Sequence, residues 1–132
     1  MPLQWSHKIF GIDKVGFEQT ALEIFRFQYD HNALYAGYAN AVHKSPDNVN
    51  SLLDIPFLPI RFFKSHEVKT TSFESDIFFE SSGTTGTINS RHFIKNIALY
   101  EESFLKGFEQ EYGKISDWYI IGLLPSYLER KN

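Results

Sequence analysis

Seven consecutive residues, Ser81-Ser82-Gly83-Thr84-Thr85-Gly86-Thr87, carry the densest chemistry in the chain. Every one is Ser, Thr or Gly. Gly83 and Gly86 permit positive φ, so backbone N–H groups in such a stretch can converge on one point. The hydroxyls add further donors, and together they form a concave nest suited to phosphate oxygens. No Gly-Lys-Ser/Thr follows at the required spacing, so this is not a Walker A loop. A plain hairpin with a polar turn has the same composition, because these residues are common turn formers. The concentration of hydroxyls directly after an apolar segment favours the phosphate reading.

Other chemistry-bearing side chains are sparse. Arg91 and His92 follow the loop closely enough to act as accessory groups on a phosphate or a carboxylate, although an ordinary strand histidine is the simpler reading of a lone His92. His7, His31, His43 and His66 share no metal-ligand spacing, and His66-Glu67 lacks the second histidine of a zinc helix. A metal site built from protein ligands is therefore not expected. Glu101 and Glu102 are adjacent on a helix and read as a solvated face. Ser81 and Ser126 lack a Gly-x-Ser-x-Gly context, which disfavours a serine hydrolase. The chain has no cysteine, which excludes disulfides, thiolate metal sites and a cysteine nucleophile within it.

The elements that must position the loop follow from periodicity. Asp76–Glu80 reads as a strand leading into it and Arg91–Ile94 as a strand leaving it. Asn96 can cap the next helix. That helix carries Ile97, Tyr100, Phe104, Phe108 and Tyr112 as one stripe, with Glu101, Glu102, Lys106 and Glu109 off it, and Gly113 stops it. Upstream, Val15–Val42 reads as helical in two pieces, with a break near Asp30-His31-Asn32. Ser45-Pro46-Asp47-Asn48 ends that region. Pro56 and Pro59 impose extended geometry on an apolar segment that must bury its Phe and Ile residues, and Pro59 can open a short helix over Ile60–Ser65. Trp118–Leu124 is a continuous apolar run that suits a strand buried on both faces. The phenylalanine pairs Phe62-Phe63 and Phe78-Phe79 read as core rather than as an acyl pocket.

Composition bounds the rest. The chain's 132 residues suit one domain that buries about two-thirds of its unfolded surface. With 13 Phe, 7 Tyr and 2 Trp, its core must be built from large rings. The net charge of -3, without a basic stripe, argues against a nucleic-acid surface. Residues 1–14 lack the apolar stretch of a signal peptide, and no apolar run approaches the ~20 residues of a membrane span. A cytoplasmic location is the resulting expectation.

The loop resembles the phosphate-binding motif of adenylate-forming enzymes. Three stretches in order narrow the resemblance: Ile55-Pro56-Phe57-Leu58-Pro59-Ile60-Arg61-Phe62-Phe63-Lys64, then Phe79-Glu80 with Ser81–Gly86, then Leu123-Leu124-Pro125-Ser126-Tyr127-Leu128-Glu129-Arg130. They are similar to the acyl-protein synthetase family, which includes the LuxE component of the luminescence fatty-acid reductase. The resemblance implies an α/β fold: an incomplete N-terminal part of an adenylate-forming large domain, with helices on a small mixed sheet. Within 1–132 it implies a helical region over 1–50 and a strand-loop-strand-helix-strand region over 51–132.

It also implies ATP with Mg²⁺ as cofactor and a fatty or other carboxylic acid as substrate. The acceptor would be a protein thiol or CoA. Ser81, Ser82, Gly83, Thr84, Thr85, Gly86 and Thr87 would hold the phosphates. Asn89 stands where many adenylate-forming enzymes have lysine, so a cation must come from Arg91 or elsewhere. No acyl-accepting cysteine, adenine motif or catalytic lysine lies in the chain, so no catalytic residue is assigned and the segment alone is not a complete catalyst. An AMP-forming acyl-CoA ligase fragment and a non-catalytic α/β binding module stay open beside this reading. A buried strand with so little chain after it implies missing protein and self-association of the fragment.

Overall fold

A computed structural model describes residues 3–75, 77–81 and 89–122. Among these residues five helices, α1 (Leu3–Phe10), α2 (Phe17–His31), α3 (Ala33–Ala41), α4 (Phe62–Ser65) and α5 (Ile97–Tyr112), accompany two strands, β1 (Ile77–Glu80) and β2 (Arg91–Ile94). Single 3₁₀ turns lie at Leu52–Asp54 and Ile115–Asp117. No helix among the described residues is long and apolar enough to cross a membrane.

The break between α2 and α3 falls on one residue. Asn32 adopts extended backbone angles (φ -132°, ψ 96°), which ends the helical hydrogen-bond ladder. Its N–H still closes α2 by donating to Gln28 O at 2.9 Å. Its side-chain oxygen accepts from Tyr35 N–H at 3.0 Å and so opens α3. The two helices therefore meet at a sharp corner and bury a shared face.

That corner holds the core. Leu22 and Phe25 of α2, Tyr35 of α3 and Val49 are buried together, with Tyr29, Ile55 and Leu58 packed against them. The Tyr35 hydroxyl donates to Pro56 O at 2.8 Å, tying the proline segment to the helical corner. Burial pushes this phenol up to about 12, so it remains a donor throughout the neutral range. The proline segment is extended as expected at Ile55 (φ -64°, ψ 120°). It buries only part of its apolar side: Phe57 and Ile60 are 76% and 83% exposed. Its helix starts at Phe62, after a turn at Ile60 and Arg61.

The segment is pinned from below by a polar knot. Lys44 Nζ reaches Asp54 Oδ1 at 3.0 Å, and Ser51 Oγ donates to Asp54 Oδ2 at 2.8 Å. The Lys44 ammonium first, and the Ser51 hydroxyl second, hold the Asp54 carboxyl at about 2, below its ordinary 3.8. A carboxyl depressed in the folded state contributes stability above its unfolded value, and loses that contribution as pH falls towards the folded one. We therefore expect Asp54→Asn to be less stable than the parent at neutral pH, with the gap closing as pH drops from 3.8 to about 2. Urea unfolding across that range checks this, and a gap independent of pH would contradict it. Because the pair is solvent-accessible, added salt should shrink the effect.

Three expectations need correction. Among the described residues the sheet is a two-stranded antiparallel hairpin rather than a mixed sheet. Residues 118–122 form no strand, and Tyr119 and Ile121 are 99% and 89% exposed. Trp118 is instead captured by the end of α5. Its indole N–H donates to Tyr112 O at 2.9 Å, and its ring lies edge-on to Phe108 and Tyr112, each 6.0 Å away. Among the described residues the two hairpin strands pair only with each other, so no edge partner draws this run into a ladder. Leu123 and Leu124 lie outside the described residues. Finally, Phe78 and Phe79 are 44% and 41% exposed rather than core. A two-stranded hairpin has no second layer on both faces to cover them.

Both ends of α5 are as expected, while Ile97, Tyr100, Phe104 and Tyr112 of its apolar stripe remain exposed. Asn96 caps it by accepting from Leu99 N–H at 3.2 Å. Gly113 ends it at φ +81°, a conformation that suits glycine. The helix α1 is an addition to what periodicity foretold. Trp5 packs on Phe27 with ring centres 5.7 Å apart, and Lys8 pairs with Glu23.

Candidate functional site

The hairpin delivers the loop. Its register pairs Ile77 with Ile94, Phe78 with Phe93, Phe79 with His92 and Glu80 with Arg91. Ser81 follows β1 directly and is exposed. Ser82, Gly83, Thr84, Thr85, Gly86 and Thr87 lie outside the described residues. The neck below them is closed. Ser81 N–H donates to Ser90 O at 3.1 Å, and Ser90 N–H donates to Ser81 Oγ at 3.1 Å. The two hydroxyls are 2.9 Å apart. This ladder continues the hairpin by one pair, so the chain enters and leaves the loop at one fixed point.

Successive strand residues face opposite sides of a sheet, and this separates the two accessory candidates. Arg91 lies with Glu80, its Nε donating to Glu80 Oε1 at 2.8 Å, and its guanidinium sits 5.2 Å from the Phe78 ring centre. His92 faces the other way and stacks on Phe63 at 6.1 Å, nearly parallel at 10°. The two do not converge on one ligand. Arg91 is also partly neutralised by Glu80, which leaves its outer guanidinium nitrogens as the groups free to meet an anion.

The Arg91 side of the hairpin forms one wall of a cleft of about 800 Å³. The opposite wall is α4 and the residues after it, which bring Lys64 and His66 to face Glu80, Asn89 and Arg91. His66 is set by its neighbours: Nδ1 lies 2.8 Å from Ser65 Oγ, and the ring stacks on Phe62 at 5.3 Å. Glu67 is engaged by Lys69 and Glu80 by Arg91. Lys64 pairs with no carboxylate among the described residues. The cleft thus offers a lysine, an arginine and a histidine whose nearby acids are already committed. That donor set fits the phosphate end of a nucleotide, where an anion gains from cations and N–H donors together.

Lys64 lies in a stretch similar to the family, but nothing in the sequence gives it a role. Only the tertiary packing of α4 on β2 brings it to the hairpin. Among the described residues, no group of three or more His, Asp or Glu side chains is arranged to hold a metal ion.

Comparison with known proteins meets this geometry at the level of family. A model described as "Acyl-protein synthetase, LuxE" matches residues 1–102, from α1 through the hairpin into α5. A "Long-chain-fatty-acid--luciferin-component ligase" of Photorhabdus luminescens is 38% identical over 71 residues, covering 52% of this chain and 60% of that protein. The protein of the same description from Aliivibrio fischeri is 29% identical over 137 aligned positions, covering 99% of this chain and 34% of its own length. The chain thus spans about a third of that longer relative. No solved structure matches. With the family model covering well over half of its residues, the chain belongs to the LuxE acyl-protein synthetase family.

Proposed function

We propose that this chain serves the ATP-dependent activation of a long-chain carboxylic acid, and that it supplies the phosphate-binding loop of an adenylate-forming domain. A carboxylate oxygen attacks the α-phosphorus of ATP. The bond from that phosphorus to the bridging oxygen breaks, pyrophosphate leaves, and an acyl-adenylate remains. A thiol on a protein or on CoA then attacks the acyl carbon, the bond from that carbon to the adenylate oxygen breaks, and AMP leaves as the thioester forms. No cysteine lies in this chain, so that thiol comes from outside it.

Ser81–Thr87 takes the β- and γ-phosphates, where negative charge accumulates as pyrophosphate departs. Preorganised donors aimed at developing charge are the largest single contribution in many enzymes. The observation that carries this reading is the closed Ser81–Ser90 neck beside a cleft lined by Lys64 and Arg91. It supports a loop anchored at Ser81 and Ser90 with Lys64 and Arg91 as nearby cations, where Asn89 stands in place of the lysine of many adenylate-forming enzymes. The relatives' description as long-chain-fatty-acid ligases supports the class of acid.

The test is isotope exchange between pyrophosphate and ATP, run on the full gene product with Mg²⁺. Exchange should require a long-chain acid such as myristate. Exchange of equal rate without acid, or none with any acid from eight to eighteen carbons, would refute the reading.

A further inference from the structure

A second cleft, of about 650 Å³, opens on the other side of Phe63 and Phe93. Both rings line both clefts, so they form a shared partition. The second cleft differs in character along its length. One end is apolar, walled by Ala21 and Ile24 of α2 and by Ile55 and Leu58 of the proline segment. The other end, against the partition, is polar and cationic, with Gln28, Thr70, Lys69 and Lys95.

The two lysines converge there. The Lys69 ammonium lies 4.5 Å from the Phe93 ring centre and 5.1 Å from that of Phe73, and the Lys95 ammonium lies 5.4 Å from Phe73. Lys69 is paired with Glu67. Lys95 donates to Thr71 Oγ1 at 3.1 Å and meets no carboxylate among the described residues. Thr71 holds that hydroxyl from a left-handed backbone, φ +69°, an unfavourable place for a β-branched residue. Its N–H is anchored on His31 O at 2.8 Å. Backbone held against its preference tends to mark ligand clamps.

We propose that this cleft binds the long-chain acid, with the alkyl chain along α2 and the carboxylate at Lys95. The assignment rests on the activation reading for the class of ligand. Three features fit one amphiphile: an apolar end, a net positive end, and a volume within the roughly 300–1,000 Å³ of small-molecule sites.

The experiment is calorimetric titration of the full gene product, without ATP, using laurate, octanoate and dodecyltrimethylammonium below their micellar concentrations. Laurate should bind. Octanoate should bind about a hundredfold more weakly, because burying each pair of methylenes is worth roughly tenfold. The cationic amphiphile, whose alkyl tail is one methylene longer than that of laurate, should still bind at least about tenfold more weakly. Lys95→Met should cost laurate roughly tenfold, and Ile24→Trp, which fills the apolar end, should abolish binding. Equal binding of the two charge types would overturn the proposal, as would unchanged laurate affinity in Lys95→Met. Lys95 is exposed, so that variant decides the matter even if Ile24→Trp fails to fold. The two readings separate cleanly. Acid-dependent exchange with laurate affinity indifferent to Lys95 leaves activation standing and removes the cleft. Laurate affinity that follows Lys95 in a protein showing no exchange does the reverse.

Discussion

Replacing Thr84 and Thr85 together with valine is expected to lower acid-dependent pyrophosphate exchange about 10²-fold or more. Valine keeps the branched shape of threonine and removes only the hydroxyl. The change therefore subtracts hydrogen-bond donors with little alteration of volume or backbone preference. If these hydroxyls face the β- and γ-phosphates, they gain most as the bond to the α-phosphorus breaks and charge moves onto pyrophosphate. An interaction that strengthens in the transition state lowers the rate of the chemical step when lost, not merely the affinity for ATP. The expected signature is a large fall in maximal exchange with a smaller change in the ATP concentration needed for half of it. The closed Ser81–Ser90 neck makes the experiment interpretable, because it holds the hairpin's register independently of these two side chains. An unchanged exchange rate in a folded double variant would remove the loop from the reaction. A uniform rise in the ATP requirement at constant maximal rate would make it a binding loop only.

The elements legible in the sequence are those with local determinants. Asn32, Asn96 and Gly113 each act within four residues of themselves, so the α2–α3 corner and both ends of α5 follow from side-chain chemistry at single positions. The bounds of β2 follow likewise from the turn formers before it and the cap after it. Features that depend on a distant partner were not legible. The helix α1 has only eight residues, too short to be stable alone, and it rests on Phe27 and on Lys106 of α5, whose ammonium sits 4.5 Å from the Phe10 ring. Trp118 looked like the start of a buried strand because its apolar neighbours are strand formers. What decides its state is a hydrogen bond back to Tyr112.

The same division runs through the candidate site. The Ser/Gly/Thr loop is visible as composition, and Arg91 and His92 as its neighbours. That these two point to opposite faces follows from strand alternation once the strand is recognised. Lys64 enters only through the packing of α4 on β2, and Lys95 only through its approach to Thr71 and Phe73. Cations reached across the fold leave no spacing pattern in the chain.

The largest effect on stability is expected at Phe25. Its ring is 2% exposed and is the largest apolar side chain in the small set of buried residues. The rings of Tyr29 and Tyr35 each lie 6.1 Å away, the second edge-on at 77°. Phe25→Ala would leave a void bounded by α2, α3 and Val49, and such truncations cost about 3–5 kcal/mol. Collapse around the void is restricted, because Tyr35 is fixed at both ends of its contact: its backbone is held by the Asn32 cap and its hydroxyl by Pro56 O. The cost should therefore fall towards the upper part of that range. A domain of this size has only about 5–15 kcal/mol in total, so the variant should melt far below the parent. Phe25→Leu, which keeps most of the volume, should recover the larger share. The proline segment packs on this core through Ile55 and Leu58, and it leads directly into α4. Loss of Phe25 should thus loosen Lys64 as well as the core, and hydrogen exchange should rise across residues 52–66 together with α2. A variant that melts near the parent, with protection lost in α2 alone, would show that the hairpin cleft is held independently of the helical corner.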